Sequence, residues 1–282
     1  MDRDKFVPFK FAFNHASSQV YGAQSRIAGG FEISDNDFRT FNYQIGMYIK
    51  KSDRSVSICG GALVHPLIIL TAGHCVYKAT QVSIFMGTRI KPYSEYDPNN
   101  IIVGAENITI HEDYNDYTLG DDIALIRLPS PVELSATVGI IELASYDWID
   151  CETGIAWVSG WGKMGDSDYS IPDVLNYLQV EPISYKQCHD VYDFLETGKQ
   201  LCSSGDLYQG ICQGDSGGPY AFETVFGKRV LCGLNSFVAL SGCINNWPRG
   251  YISVAYYNDN GWICRTSNGL VGCSRYHNRP MF

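Results

Sequence analysis

Short apolar runs, rich in isoleucine and valine and separated by glycine, proline, asparagine, aspartate or serine, recur along most of this chain. They include Tyr43–Ile49, Gly61–Val64, Ile101–Val103, Ile108–Ile110, Ile123–Leu128, Ile155–Val158, Leu178–Val180 and Arg229–Leu234. Runs this short, bounded by turn residues, predict strands, and many such strands predict an all-β sandwich or barrel. Helical patterns are few, at Tyr185–Leu195 and Tyr256–Cys264. Pro129–Gly139 reads as the link between two halves. Residues 1–26 are weakly patterned and read as a pro-segment. No internal repeat, low-complexity segment or run of membrane-spanning length is present.

Length and charge narrow the picture. The 282 residues suffice for two lobes, each able to bury a core, and 45% hydrophobic with 18% charged residues suits a globular protein. A formal charge of −9 argues against nucleic acid, which needs a basic footprint.

The ten cysteines predict about five disulfides and an oxidising, extracellular compartment. They form no Cys-x-x-Cys pair and no Cys/His cluster of zinc spacing, so neither a metal nor a cofactor is expected. The opening Met1-Asp2-Arg3-Asp4-Lys5 is charged and no apolar run of signal-peptide length follows, at odds with the cysteine usage, which carries more weight. Asn107-Ile108-Thr109 has the form of a glycosylation acceptor. Glu95, Asp97 and Glu106 are too loosely patterned to predict calcium.

The candidate chemistry centres on Gly214-Asp215-Ser216-Gly217-Gly218-Pro219. A serine between glycines is accessible, and neighbouring amides can face a developing negative charge. A serine hydroxyl needs a base and a group to orient that base. Thr71-Ala72-Gly73-His74-Cys75 offers the base, and Asp122, opening Asp122-Ile123-Ala124-Leu125, offers the carboxylate.

These three segments, in the order His, Asp, Ser, resemble those of the chymotrypsin-like (trypsin-like) serine proteases over residues 27 to about 264. The resemblance implies two antiparallel six-stranded Greek-key β-barrels, 27–138 and 139–282, the second with a short C-terminal helix and a tail. It implies that Ser216 is the nucleophile, His74 the general base and acid, and Asp122 rather than Asp121 the orienting carboxylate. The Gly214 and Ser216 amides would form the oxyanion hole. Arg26-Ile27-Ala28-Gly29-Gly30 resembles the family's activation site. Cleavage after Arg26 would free an α-amine on Ile27 to pair with Asp215, so the intact chain is expected to be a zymogen.

The resemblance also implies disulfides Cys59–Cys75, Cys188–Cys202 and Cys212–Cys243. The usual partner position of Cys151 holds Phe222. Cys232, on the expected adjacent strand, is the assigned partner, which leaves Cys264–Cys273 as a local loop in the tail. Sequence alone does not fix these last two pairings.

In the family's register Gly210 lies at the base of the primary pocket, where trypsin-like members carry aspartate. Ser236-Phe237-Val238 forms one wall, with valine narrowing the entrance as in elastases. Arg249 replaces a glycine on the other wall, as in granzyme B-type proteases, and a guanidinium there can pair with an acidic side chain. Other expectations for Arg249 are that it faces solvent or fills the pocket.

The expected function is therefore a secreted, monomeric serine endopeptidase zymogen that cuts after small or acidic residues. Its partners would be protein or peptide substrates, an activating trypsin-like protease and a proteinaceous inhibitor, with no nucleic acid and no membrane. The rival is a weak or inactive binding or immune protein on a protease scaffold, its primary pocket occluded.

Overall fold

The computed structural model describes residues 6–7, 27–146, 149–168, 170–205 and 208–273. Its strands are β1 Phe6–Val7, β2 Phe31–Glu32, β3 Gln44–Lys51, β4 Val56–His65, β5 Ile68–Thr71, β6 Ala79–Met86, β7 Ile101–Gly104, β8 Ile108–Ile110 and β9 Ala124–Arg127. They continue as β10 Glu142–Leu143, β11 Ile155–Gly160, β12 Asn176–Val180, β13 Pro182–Ile183, β14 Gln200–Ser203, β15 Pro219–Glu223, β16 Arg229–Ala239 and β17 Arg249–Ser253. The short helices are α1 Gly73–Val76, α2 Tyr185–His189, α3 Val254–Asp259 and α4 Trp262–Thr266.

Two barrel-like sheets form. The first runs β7-β6-β3-β4-β5-β9-β8, and the second runs β13-β14-β17-β16-β15-β11-β12-β2, with β1 and β10 added on β16. Pairing is antiparallel except where β10 meets β16. The sheets thus carry seven and ten strands, more than six each; in the second, the two-residue pieces β1, β2 and β10 add to the longer strands. β2 crosses to join the second sheet at Asn176 and Tyr177. Residues 129–139 join the halves without regular structure.

Each sheet encloses apolar side chains of its own: Ile45, Met47, Ile69 and Val82 in the first, Val158, Leu178, Tyr220 and Val230 in the second. A third core spans both, drawing Ala62, Leu70 and Phe85 together with Ala221, Leu234 and Ile252. The backbones approach closely at this seam. A Cβ on Gly60 would lie 2.7 Å from the Gly218 Cα, so both positions favour glycine. Trp161 bridges the seam with its ring edge-on to Phe85.

The helices are shorter than their sequence patterns predict, for local reasons. α2 starts at a capping box, in which Ser184 Oγ accepts from the Gln187 amide and Gln187 Oε1 accepts from the Ser184 amide. It stops at His189 rather than Leu195, because Tyr192 turns inward and its hydroxyl donates to the Pro248 carbonyl. The predicted Tyr256–Cys264 helix is split by Gly261, whose φ of 80° lies in the left-handed region.

Five disulfides join Cys59–Cys75, Cys151–Cys232, Cys188–Cys202, Cys212–Cys243 and Cys264–Cys273. Among the described residues no helix is long and apolar enough to cross a membrane.

Candidate active site

Strand register brings the first two site residues together. β5 and β9 pair antiparallel with Thr71 opposite Ala124. His74 lies three residues beyond Thr71 on α1, and Asp122 lies two before Ala124, so both emerge at the same end of the pair. The disulfide from Cys59 on β4 to Cys75 fixes α1 there. Asp122 is fully buried and takes three hydrogen bonds. The His74 amide donates to Oδ1 at 2.7 Å, His74 Nδ1 lies 2.8 Å from Oδ2, and Ser236 Oγ donates to Oδ2 at 2.6 Å. A carboxylate only accepts, so Nδ1 carries the proton and Nε2 is left as the basic nitrogen.

The neighbouring Asp121 is occupied elsewhere. It accepts from Tyr257 Oη at 2.8 Å and from Lys199 Nζ at 3.0 Å. The geometry therefore separates the two adjacent aspartates, with Asp122 on the imidazole.

The serine turn is held from both sheets. The Gly60 amide on β4 donates to the Ser216 carbonyl at 2.7 Å, and the Gly217 amide donates to the Asn235 carbonyl on β16 at 2.7 Å. Asn235 Nδ2 donates to the Asp215 carbonyl at 2.8 Å. Ser216 Oγ is buried and hydrogen-bonds to nothing among the described residues, so the serine–histidine contact is open in this structure. The amides of Gly214 and Ser216 are also unbonded among the described residues. One tight turn thus presents a free hydroxyl and two free N–H donors, which is what acyl transfer requires of a nucleophile and its oxyanion hole.

Asp215 points the other way, into the interior. It is fully buried, with Oδ1 accepting from the Gly162 amide at 2.8 Å and Oδ2 from the Cys212 amide at 2.9 Å. Burial raises its pKa to about 7 against the opposing pull of these two bonds. A Cβ on Gly162 would lie 2.4 Å from that carboxyl group, so glycine makes its room. Ile27 is fully buried in the same core as Cys212 and Tyr220. The carbonyl of Ala28 accepts from the Gly210 amide at 3.0 Å, tying the predicted activation segment to the predicted pocket base. Arg26 lies outside the described residues.

The predicted pocket residues do not all face one space. Ser236 turns to Asp122. The Phe237 ring packs against Tyr192 and Phe194 at 5.3 and 5.4 Å between centroids. It fills the room that Gly250 leaves, where a Cβ would meet it at 2.1 Å. Val238 is buried.

Gly210 and Arg249 do meet, since a Cβ on Gly210 would lie 2.8 Å from Arg249 Nε. Arg249 is fully buried, which rules out the expectation that it faces solvent. Its Nη1 donates to Asn245 Oδ1 at 3.0 Å and to the Trp247 carbonyl, and its Nη2 to the carbonyls of Cys243 and Asn245. Nε has no partner, and among the described residues no carboxylate pairs with the guanidinium. Burial pulls its pKa down, opposed by Tyr251, Tyr192 and Asp166.

Sequence reasoning missed Asp166. Its carboxylate accepts from the Cys243 and Ile244 amides at 2.6 and 3.0 Å and so holds the loop whose carbonyls bind Arg249. No local signal marks it, because its partners lie 77 and 78 positions away. Two trios of ligand-type residues, Cys59–His74–Cys75 and Asp166–Cys212–Cys243, have both sulfurs engaged in a disulfide.

Fold and site together define a serine endopeptidase, and the trypsin family model matches residues 27–263, so the chain belongs to that family and is a hydrolase acting on peptide bonds. Its relatives include brachyurin of Leptuca pugilator, 33% identical over 248 residues that span 87% of this chain and 100% of brachyurin. A collagenase of Hypoderma lineatum is 32% identical, spanning 92% and 94% of the two chains. A solved collagenase structure superposes with a TM-score of 0.71 at 30% identity, covering 86% of this chain and 99% of that one. These similarities favour an enzyme over the inactive-scaffold rival.

Proposed function

We propose that this chain is the zymogen of a secreted serine endopeptidase, activated by cleavage after Arg26, that prefers small or acidic residues on the acyl side of the cut bond. The observation that carries the catalytic reading is the buried His74–Asp122 pair beside a turn with a free hydroxyl and two free amides. Secretion is supported by the five disulfides, which persist in oxidising compartments. The division into a pro-segment, 1–26, and two halves meeting at 138/139 belongs to the same reading, as do a monomeric state, a trypsin-like activator and a proteinaceous inhibitor.

Ser216 Oγ attacks the scissile carbonyl as His74 Nε2 takes its proton. The oxyanion is held by the Gly214 and Ser216 amides, each worth a few kcal/mol in such sites. Asp122 keeps the imidazole in the tautomer that leaves Nε2 basic and stabilises the imidazolium. His74 then protonates the leaving amine, leaving an acyl-enzyme on Ser216. Water, deprotonated by His74, attacks the ester, and the collapse returns the proton to Ser216 Oγ.

Activation acts through Asp215. An ammonium at Ile27 would give this buried carboxylate the countercharge that two amides do not supply, holding Gly214 and Ser216 in the conformation that binds the oxyanion. Substrate preference acts through Arg249. Gly210 leaves room for Arg249 itself, whose Nε is a buried donor without a partner, and the buried guanidinium with no paired carboxylate disfavours Lys and Arg while favouring Asp and Glu. Val238 limits the entrance to smaller side chains. A fluorogenic peptide panel on the enzyme cleaved after Arg26 tests this. Fastest cleavage after Asp, Glu or Ala is expected, and fastest cleavage after Lys, Arg, Phe or Tyr overturns the preference.

A further inference from the structure

β16 changes neighbours along its length. Its pairing with β15 ends at Leu234 and its pairing with β17 at Phe237. The next two residues, Val238 and Ala239, pair with the chain's own N-terminal segment. β1 runs antiparallel to β16, with Phe6 opposite Ala239 and Val7 opposite Val238.

Three features make this contact resemble an occupied substrate groove. The pairing sits two residues from Ser236, which hydrogen-bonds Asp122, so β1 begins about 7 Å along the strand from the catalytic pair. Its direction is also informative, because an antiparallel strand entering at Ala239 and passing Val238 heads toward Ser236. And it is held through the backbone, the means by which a sheet edge accepts an added peptide strand largely independently of its sequence. The sequence favours an extended form here, because Pro8 restricts Val7 to extended conformations.

The chain is long enough to serve both ends. Residues 8–26 span up to about 60–70 Å when extended, so one segment can present Phe6–Val7 to β16 and Arg26 to an activating protease. The first 58 residues contain no cysteine, so no disulfide ties this segment to the enzyme once it is cut.

We propose that Phe6–Val7 acts as a built-in competitive inhibitor, occupying at Val238–Ala239 the edge of β16 along which a peptide substrate would lie as an added strand. Cleavage after Arg26 then converts a tethered inhibitor into a diffusible one. Full activity requires two events, formation of the new terminus and departure of the peptide. The loss of effective concentration on cutting the tether drives the second. The inference deepens the peptidase reading above and rests on it.

The test uses the full chain cleaved after Arg26 and freed of its released peptide by gel filtration. A synthetic peptide of residues 1–12 is titrated in, with binding read by fluorescence anisotropy and inhibition by hydrolysis of a fluorogenic substrate. The expected result is saturable binding, a rise in KM with kcat unchanged, and binding weaker by about fivefold or more for the peptide carrying Val7→Pro, which lacks a strand amide. An active enzyme that does not bind the peptide, or binds it without raising KM, overturns the inference and leaves the peptidase reading standing. An enzyme that hydrolyses no substrate yet binds the peptide at a site blocked by Val238→Arg supports the groove and overturns the peptidase reading. Failure of both binding and hydrolysis overturns both.

Discussion

Two corners of this molecule treat buried charge differently. In the catalytic corner, Asp122 meets the His74 imidazole, the His74 amide and the Ser236 hydroxyl, so the carboxylate is paired with a group that can become a cation. In the corner below the serine turn, two buried charges are held by neutral backbone. Asp215 takes two amides and Arg249 takes carbonyls and a side-chain amide oxygen. A buried charge without a countercharge is costly. The first corner is thus complete as folded. The second holds its two charges without a paired countercharge, and the proposed function supplies one to each: an ammonium to Asp215 and an acidic substrate group to Arg249.

The largest test of that contrast is Asp122→Asn. It should lower kcat by about four orders of magnitude, because the amide favours the wrong imidazole tautomer, while substrate KM stays near its original value. Steady-state kinetics on the cleaved enzyme checks this.

Asp215→Asn should act on the second corner and in opposite directions before and after activation. After cleavage the variant lacks the ion pair, worth about 3–5 kcal/mol, and kcat/KM should fall at least a hundredfold. Before cleavage it removes a liability. The Asp215 pKa of about 7 lies above the ordinary carboxylate value, so its contribution to folding is full below about pH 4 and is lost as pH rises through 7. The uncut chain should therefore lose roughly 3–5 kcal/mol of stability between pH 4 and pH 8, and Asp215→Asn should flatten that slope. Denaturant unfolding at a series of pH values reads it, and an unchanged slope breaks the comparison.

Arg249→Ala should be milder. Cleavage after Asp and Glu should drop about ten- to a hundredfold relative to cleavage after Ala, since only the acidic side chain loses a partner. Smallest of all is Asp121→Asn. It touches Lys199 and Tyr257 but not His74, so kcat should stay within about twofold while stability falls by about 1–2 kcal/mol. The pair Asp121 and Asp122 then isolates the catalytic role by position alone.

Much of this was legible in the chain. The apolar runs marked strands because strand propensity and turn residues act locally, and Ile108–Ile110 is both the predicted run and the strand observed. His74 and Asp122 could be read because each stands in a short contiguous segment, Thr71–Cys75 and Asp122–Leu125, that resembles the family's. What escaped depended on distant partners. Ser236 could be assigned to the pocket wall by register, but its rotamer onto Asp122 depends on a residue 114 positions away. Arg249 carries no sequence sign of whether it bonds substrate, solvent or carbonyls. Asp166 was invisible for the same reason. Helix ends failed where a tertiary contact, such as Tyr192 with Pro248, outweighed local propensity.

On the proposed function, Ser216 becomes an active nucleophile when cleavage after Arg26 gives Asp215 its countercharge. Labelling of Ser216 by a fluorophosphonate probe, followed before and after that cleavage, tests it directly. Slow or undetectable labelling of the intact chain and rapid, stoichiometric labelling of the cleaved one are expected. Equal labelling in both states, or none in either, contradicts it.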